Sequence, residues 1–237
     1  MSRRSRQRLA QLAERFDLPE GAVASLAVLL ELLATDPTAP TTITNPATAV
    51  DAHVADALVA LELNIVRAVG RIADLGSGAG FPGLVLASAL PASRVALVES
   101  NAKKCTFLSR AAETMGLENV EVVTARAEEW AAGPQSCDLV TARAVAPLNV
   151  LVEYAAPLLV DGGALLAWKG RRDEAEDADG EAAAAATGLA AAVVHPVRPW
   201  SGAENLHLHL YMKVGRTPNR FPRRAGMASK RPLRAST

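Results

Sequence analysis

The stretch Ala73-Asp-Leu-Gly-Ser-Gly-Ala-Gly-Phe-Pro-Gly83 packs four glycines into eleven residues directly after an apolar run. Glycines at the end of a first strand let the chain turn tightly and let a ligand lie against the main chain. A Walker A loop would need Gly-Lys-Ser/Thr, and a nucleophile elbow Gly-x-Ser-x-Gly; neither is present. Two registers remain. Gly78-Ala-Gly80-Phe-Pro-Gly83 fits the dinucleotide pattern, with Glu99 ending the next strand where a ribose-binding acid belongs. In that register Leu75 to Ser77 intervene between strand and turn, and Pro82 falls where the phosphate-binding helix should open. The alternative, Asp74-Leu-Gly76-Ser-Gly78, sets an acid before the glycines. There it could orient the loop and the ammonium of an amino-acid-like ligand lying over Gly76, with Glu99 on the ribose hydroxyls.

Other chemistry-bearing residues are sparser. Cys105 and Cys137 form no CxxC pair and are expected to be buried thiols of a reduced, cytoplasmic protein. His207 and His209 share one face of a strand, but no third metal ligand accompanies them, so partly exposed strand residues are expected and no metal. Lys169 and Gly170 could face phosphate or be plainly exposed. Trp200 and Phe221 could stack on a base, although packing is the expectation for Trp200.

The elements that must position the glycine loop follow from periodicity. Apolar residues at helical spacing mark helices over 4–16 and 19–34; the proline-rich 36–46 is a loop, and a third helix is expected over 47–69. From residue 70, strands alternate with helices: "RIADL", "RVALVE", "VEVVTA", "CDLVTAR" and "GALLAWKG". That pattern specifies an α/β fold, a mostly parallel doubly wound sheet. "NLHLHLYMKV" alternates in period two and suits a late, antiparallel strand near the edge. The expected organisation is an N-terminal helical cap with a basic arm (1–69), a Rossmann-like domain (70–214) and a basic, disordered tail (215–237).

The 237 residues carry zero net charge, unevenly distributed. Arg3, Arg4, Arg6 and Arg8 crowd the start, and no acid follows Glu204, while Arg220, Arg223, Arg224, Lys230, Arg231 and Arg234 do. Such arms suit a phosphate-backbone partner or are merely solvated. If they grip RNA, deleting residues 216–237 should weaken RNA binding and flatten its salt dependence while leaving cofactor affinity unchanged. No apolar run is long enough for a membrane span.

The quoted loop, "LVESNAKKCTFLSRAAETMGLENVEVVTARAEEW" and "DLVTARAVAPLNVLVEYAAPLL" through "WKG" resemble the RsmG (glucose-inhibited division protein B) family of 16S rRNA guanine-N7 methyltransferases, over about residues 41–170. "DAHVADAL" is similar to the family's His-x-x-Asp segment, giving His53 and Asp56. Where the family shows Trp-Asn-x-x-x-Asn-Leu-Thr, this chain has "ATDPTAPTT" and keeps only Thr41, so a reshaped cap is expected. The resemblance implies a class I S-adenosylmethionine-dependent methyltransferase, with cofactor contacts at Gly76, Phe81, Ala127, Glu128 and Arg143 beside Asp74, Gly78 and Glu99. It implies as partner 16S rRNA or a 30S assembly intermediate, and a monomer. No catalytic residue is assigned, since guanine N7 has no proton to remove. The loop after the fourth strand, "TARAVAPL", also lacks the Asn/Asp-Pro-Pro-aromatic tetrapeptide of amine methylation. Two other functions fit less of this: a non-catalytic rRNA-binding or assembly protein, and an NAD-linked oxidoreductase.

Overall fold

The computed structural model describes residues 1–235. Ser2 caps α1 (Arg3–Phe16) by accepting from the Ser5 amide, and Asp17, in the left-handed region, ends it. Helix α2 (Ala22–Thr35) follows. The expected third helix is present but broken into α3 (Pro46–Ala49), a π turn (Val50–Ala55), α4 (Asp56–Leu58), a 3-10 turn (Val59–Glu62) and α5 (Asn64–Arg67). The wide turn sits where His53 and Asp56 must face the same neighbour, a common place for such bulges.

Strands and helices then alternate as the sequence requires: β1 (Arg71–Leu75), α6 (Gly83–Ala89), β2 (Arg94–Glu99), α7 (Ala102–Thr114), β3 (Val120–Thr124), β4 (Cys137–Arg143), α8 (Leu148–Ala155), β5 (Leu159–Lys169), α9 (Glu174–Thr187), β6 (Val193–Val197) and β7 (Leu206–Met212). The sheet order is β3-β2-β1-β4-β5-β7-β6. Strands β1 to β5 pair in parallel, whereas β7 is antiparallel to both β5 and β6. The period-two strand is therefore antiparallel and near the edge, as expected, with β6 outside it.

Period-two alternation sends each strand's side chains to two cores. Ile72 and Leu97 join Leu9, Phe16, Leu29 and Leu84 on the face covered by the cap. Ala73, Leu75 and Val98 join Leu148, Leu151 and Ala183 on the face covered by α8 and α9. The cap completes one face of the sheet and shares its core. Cys105 and Cys137 are buried free thiols. His209 departs from expectation: it is 1% exposed with neither ring nitrogen hydrogen-bonded. Burial lowers its pKa, which fits a neutral core imidazole.

The tail also departs from expectation. Residues 215–235 are packed on the domain, with α10 (Met227–Lys230) among them; residues 236 and 237 lie outside the described residues. Phe221 is buried, and the Arg223 guanidinium grips the Glu153 carboxylate through both Nε and Nη2. The sequence hid this because the matching acid stands 70 residues away on α8.

Candidate functional site

The glycine loop is fixed from beneath by Asp74. Its carboxylate is fully buried and accepts from Thr141 Oγ1 at 2.8 Å and from the Gly83 amide at 3.2 Å. Burial pushes it up to about 6 against the pull of those donors. Asp74 therefore braces the loop, and no part of it is exposed to meet a ligand's ammonium. Gly76 itself is exposed at φ +65°, and a Cβ there would come within 2.7 Å of Val145 Cγ2. Only glycine leaves that approach open.

Glu99 ends β2 as predicted. Its carboxylate accepts from the Gly78 amide at 3.2 Å and the Asn101 amide at 2.9 Å, which ties the glycine loop to the second strand. A carboxylate has about four acceptor sites, so capacity remains for a diol. Gly76, Glu99, Ala127 and Glu128 line one cavity of about 200 Å³ at the carboxyl ends of β1, β2 and β3. Four sequence-predicted residues thus meet where ligands bind in open α/β sheets.

Phe81 and Arg143 fall in an adjoining cluster instead. The Phe81 ring stacks on His53 at 4.4 Å between centroids, and Arg143 lies 5.3 Å over the same ring. Arg143 Nη1 donates to Asp56 at 2.7 Å, and Nη2 lies 3.3 Å from His53 Nδ1. A guanidinium only donates, so Nδ1 accepts and the proton sits on Nε2, facing Thr41 Oγ1 at 3.1 Å. Burial and the Arg143 charge lower His53 to about 4, which keeps the ring neutral at pH 7. Burial raises Asp56 and the Arg143 charge opposes that rise. Trp168 Nε1 donates to the Asp56 carbonyl at 2.8 Å and anchors the turn to β5. Thr41 and Arg143 thus hold His53 from its two nitrogens.

Several weaker candidates are occupied elsewhere. Lys169 pairs with Glu176 at 2.5 Å, His207 Nδ1 lies 3.0 Å from the Gly170 carbonyl, and Phe221 is buried. Residues the sequence reading missed include Val145, Tyr154 and Ser229, which also line the cavity. Val145, 39% exposed on the loop after β4, is the one with a sequence signal: an apolar residue in a loop that should be polar.

The model of the family described as "GidB: rRNA small subunit methyltransferase G" matches residues 30–200. The chain belongs to that family. A ribosomal RNA small subunit methyltransferase G of Rubrobacter xylanophilus is 45% identical over 195 residues, covering 80% of this chain and 75% of the relative. One from Desulfitobacterium hafniense is 39% identical over 196 residues, 81% of each chain. Among solved structures, an S-adenosylmethionine-dependent O-methyltransferase of Thermotoga maritima superposes with TM-score 0.56 at 18% identity, over 80% of this chain and 72% of that one. The Methanococcus jannaschii fibrillarin pre-rRNA processing protein gives 0.55 at 17%, over 68% and 74%. These two likenesses show the fold alone. As a member of the rRNA small subunit methyltransferase G family, the chain is an S-adenosylmethionine-dependent methyltransferase.

The residues present fit that cofactor. The main-chain cradle at Gly76, which a Cβ would fill, leaves backbone open to a ligand, and Glu99, Ala127 and Glu128 line the same cavity at the ends of β2 and β3. The sheet order supports the same register. An antiparallel β7 between β5 and β6 departs from the six-stranded 3-2-1-4-5-6 order of dinucleotide folds. Among the described residues no helix is long and apolar enough to cross a membrane.

Proposed function

We propose that the protein methylates N7 of a guanine in the decoding-region loop of 16S rRNA, on naked rRNA or a 30S assembly intermediate. S-adenosylmethionine supplies an electrophilic methyl group on its sulfonium. Gly76, Glu99 and Glu128 hold that donor, and the His53–Phe81–Arg143 cluster forms the rim on which the base is received. Guanine N7 carries a lone pair and no proton, so its attack needs alignment and not a general base.

The observation that carries this reading is that His53, the imidazole at the rim, is neutral and held on both ring nitrogens. Its pKa is lowered to about 4, Asp56 accepts from Arg143, and Asp74 is sealed beneath the loop. An amine or carbon target would require a free proton acceptor there. The test is methylation of 30S particles from a strain lacking this activity, read by borohydride–aniline cleavage and mass spectrometry. A single 7-methylguanine supports the proposal; products methylated only at N2 or C5 refute it.

A further inference from the structure

The cavity that gathers Gly76, Glu99 and Glu128 is not walled by the methyltransferase core alone. Beside Val145, Ala146 and Tyr154 it is lined by Ser229 of the C-terminal segment, which lies beyond the family match ending at residue 200. The Gly226 amide donates to Glu128 Oε1 at 2.9 Å, and Ser229 Oγ, itself lining the cavity, lies 3.2 Å from the Tyr154 hydroxyl. We propose that the C-terminal segment closes the adenosine end of the pocket and binds the cofactor through two groups, the Gly226 main chain that holds Glu128 and the Ser229 hydroxyl. This inference rests on the pocket being the S-adenosylmethionine site.

Three features point to this role and away from a passive tail. First, the segment is pinned at both of its ends, to α8 and α9. At one end Arg223 grips Glu153, a carboxylate 2% exposed, and such a buried charge needs a partner. At the other, the Leu233 carbonyl accepts from Asn149 Nδ2 at 2.6 Å, and the Ala235 amide donates to Asp179 at 2.9 Å. Second, between these anchors the side-chain bonds to the domain are the two that touch the pocket, at Glu128 and Tyr154. A span with firm ends and a lightly held middle can yield without leaving. Third, the cavity measures about 200 Å³ against the roughly 300–1,000 Å³ of small-molecule sites, so a ligand that outgrows it is accommodated at its more yielding wall. The facing wall is made of strand ends locked by ladder bonds; the span is the part able to shift outward and settle back on the adenosine. Gly226 also positions Glu128 by holding one carboxylate oxygen and leaving the other free.

The test uses S-adenosylhomocysteine as probe, by calorimetry, on the intact chain and on a chain ending at residue 220. The truncated chain should bind about tenfold more weakly with faster release. Equal or tighter binding by a folded truncated chain overturns the inference. If the truncated chain fails to fold, amide exchange in the intact protein decides. Slower exchange over 226–231 on adding the probe upholds the proposal, and unchanged or faster exchange overturns it. Failure of the probe to bind the intact chain at all would instead sink the proposed function, so the two failures are distinguishable. The expected result reverses the sequence expectation that losing residues 216–237 leaves cofactor affinity untouched.

Discussion

Gly76 is where a single atom decides between an open and a closed cradle. Alanine there adds a Cβ facing Val145 and forces a left-handed backbone that costs about 1–2 kcal/mol. Gly76→Ala is therefore expected to weaken S-adenosylhomocysteine binding at least about tenfold in calorimetry and to lower the melting temperature by about 2–4 °C per kcal/mol of that strain. Asp74 gives a residue-scale prediction of opposite kind. Its folded pKa of about 6 lies above the ordinary 3.8, so its contribution to stability is full below about pH 4 and lost as pH rises through 6. That loss amounts to roughly 3 kcal/mol for this fully buried group. Asp74→Asn cannot lose it. Urea denaturation should show the wild type losing ground to the variant between pH 4 and pH 7.5, and a difference that does not vary with pH would contradict the assignment. His53, lowered to about 4, acts the other way: the stability it gives is present above pH 6.5 and lost as pH falls toward 4.

At the scale of elements, the cap and the sheet domain share one core, so they should unfold together. Phe16 is 2% exposed and packed in the cluster that includes Leu84 and Leu97. Phe16→Ala should cost about 3–5 kcal/mol and keep a single urea transition by circular dichroism and tryptophan fluorescence. A separate early transition would show the cap to be an independent unit. The strands, the glycine loop and its acid were legible because each is a local pattern: a period, a glycine spacing, a residue ending a run. Glu128 came only from the family resemblance, whereas Glu99, as the acid ending the second strand, was readable for the same reason. The π turn at Val50–Ala55 was not, because apolar spacing reports helix and does not register one widened turn. That β7 lies near the edge was readable, but its insertion between β5 and β6 was not, because strand order depends on pairing with β5 across an intervening helix and β6. Arg223 read as a cation for RNA phosphate or for water, because a lone arginine looks alike whether it meets either of these or a buried carboxylate far along the chain.

On the whole molecule, the basic ends divide into cations that hold the fold and cations left for a partner. Arg8 pairs with Asp51 and Arg223 with Glu153, whereas Arg3, Arg4, Arg6, Arg224, Lys230, Arg231 and Arg234 are exposed. The C-terminal segment can thus present one side to the pocket and the other to RNA phosphate. These roles separate by substitution better than by deletion. Changing Arg224, Lys230, Arg231 and Arg234 together to glutamine keeps Arg223, Gly226 and Ser229, so S-adenosylhomocysteine affinity should stay as in the wild type. Each cation that no longer neutralises a phosphate should flatten the plot of log affinity against log salt by about 0.7 for single-stranded RNA. Fluorescence anisotropy with a 16S fragment from about 50 to 300 mM salt, the range over which counterion release is steep, would measure that slope. A slope equal to the wild type's would leave these four cations solvated and shift the phosphate-binding role to the arginines of α1, where the same substitution at Arg3, Arg4 and Arg6 should then carry the loss.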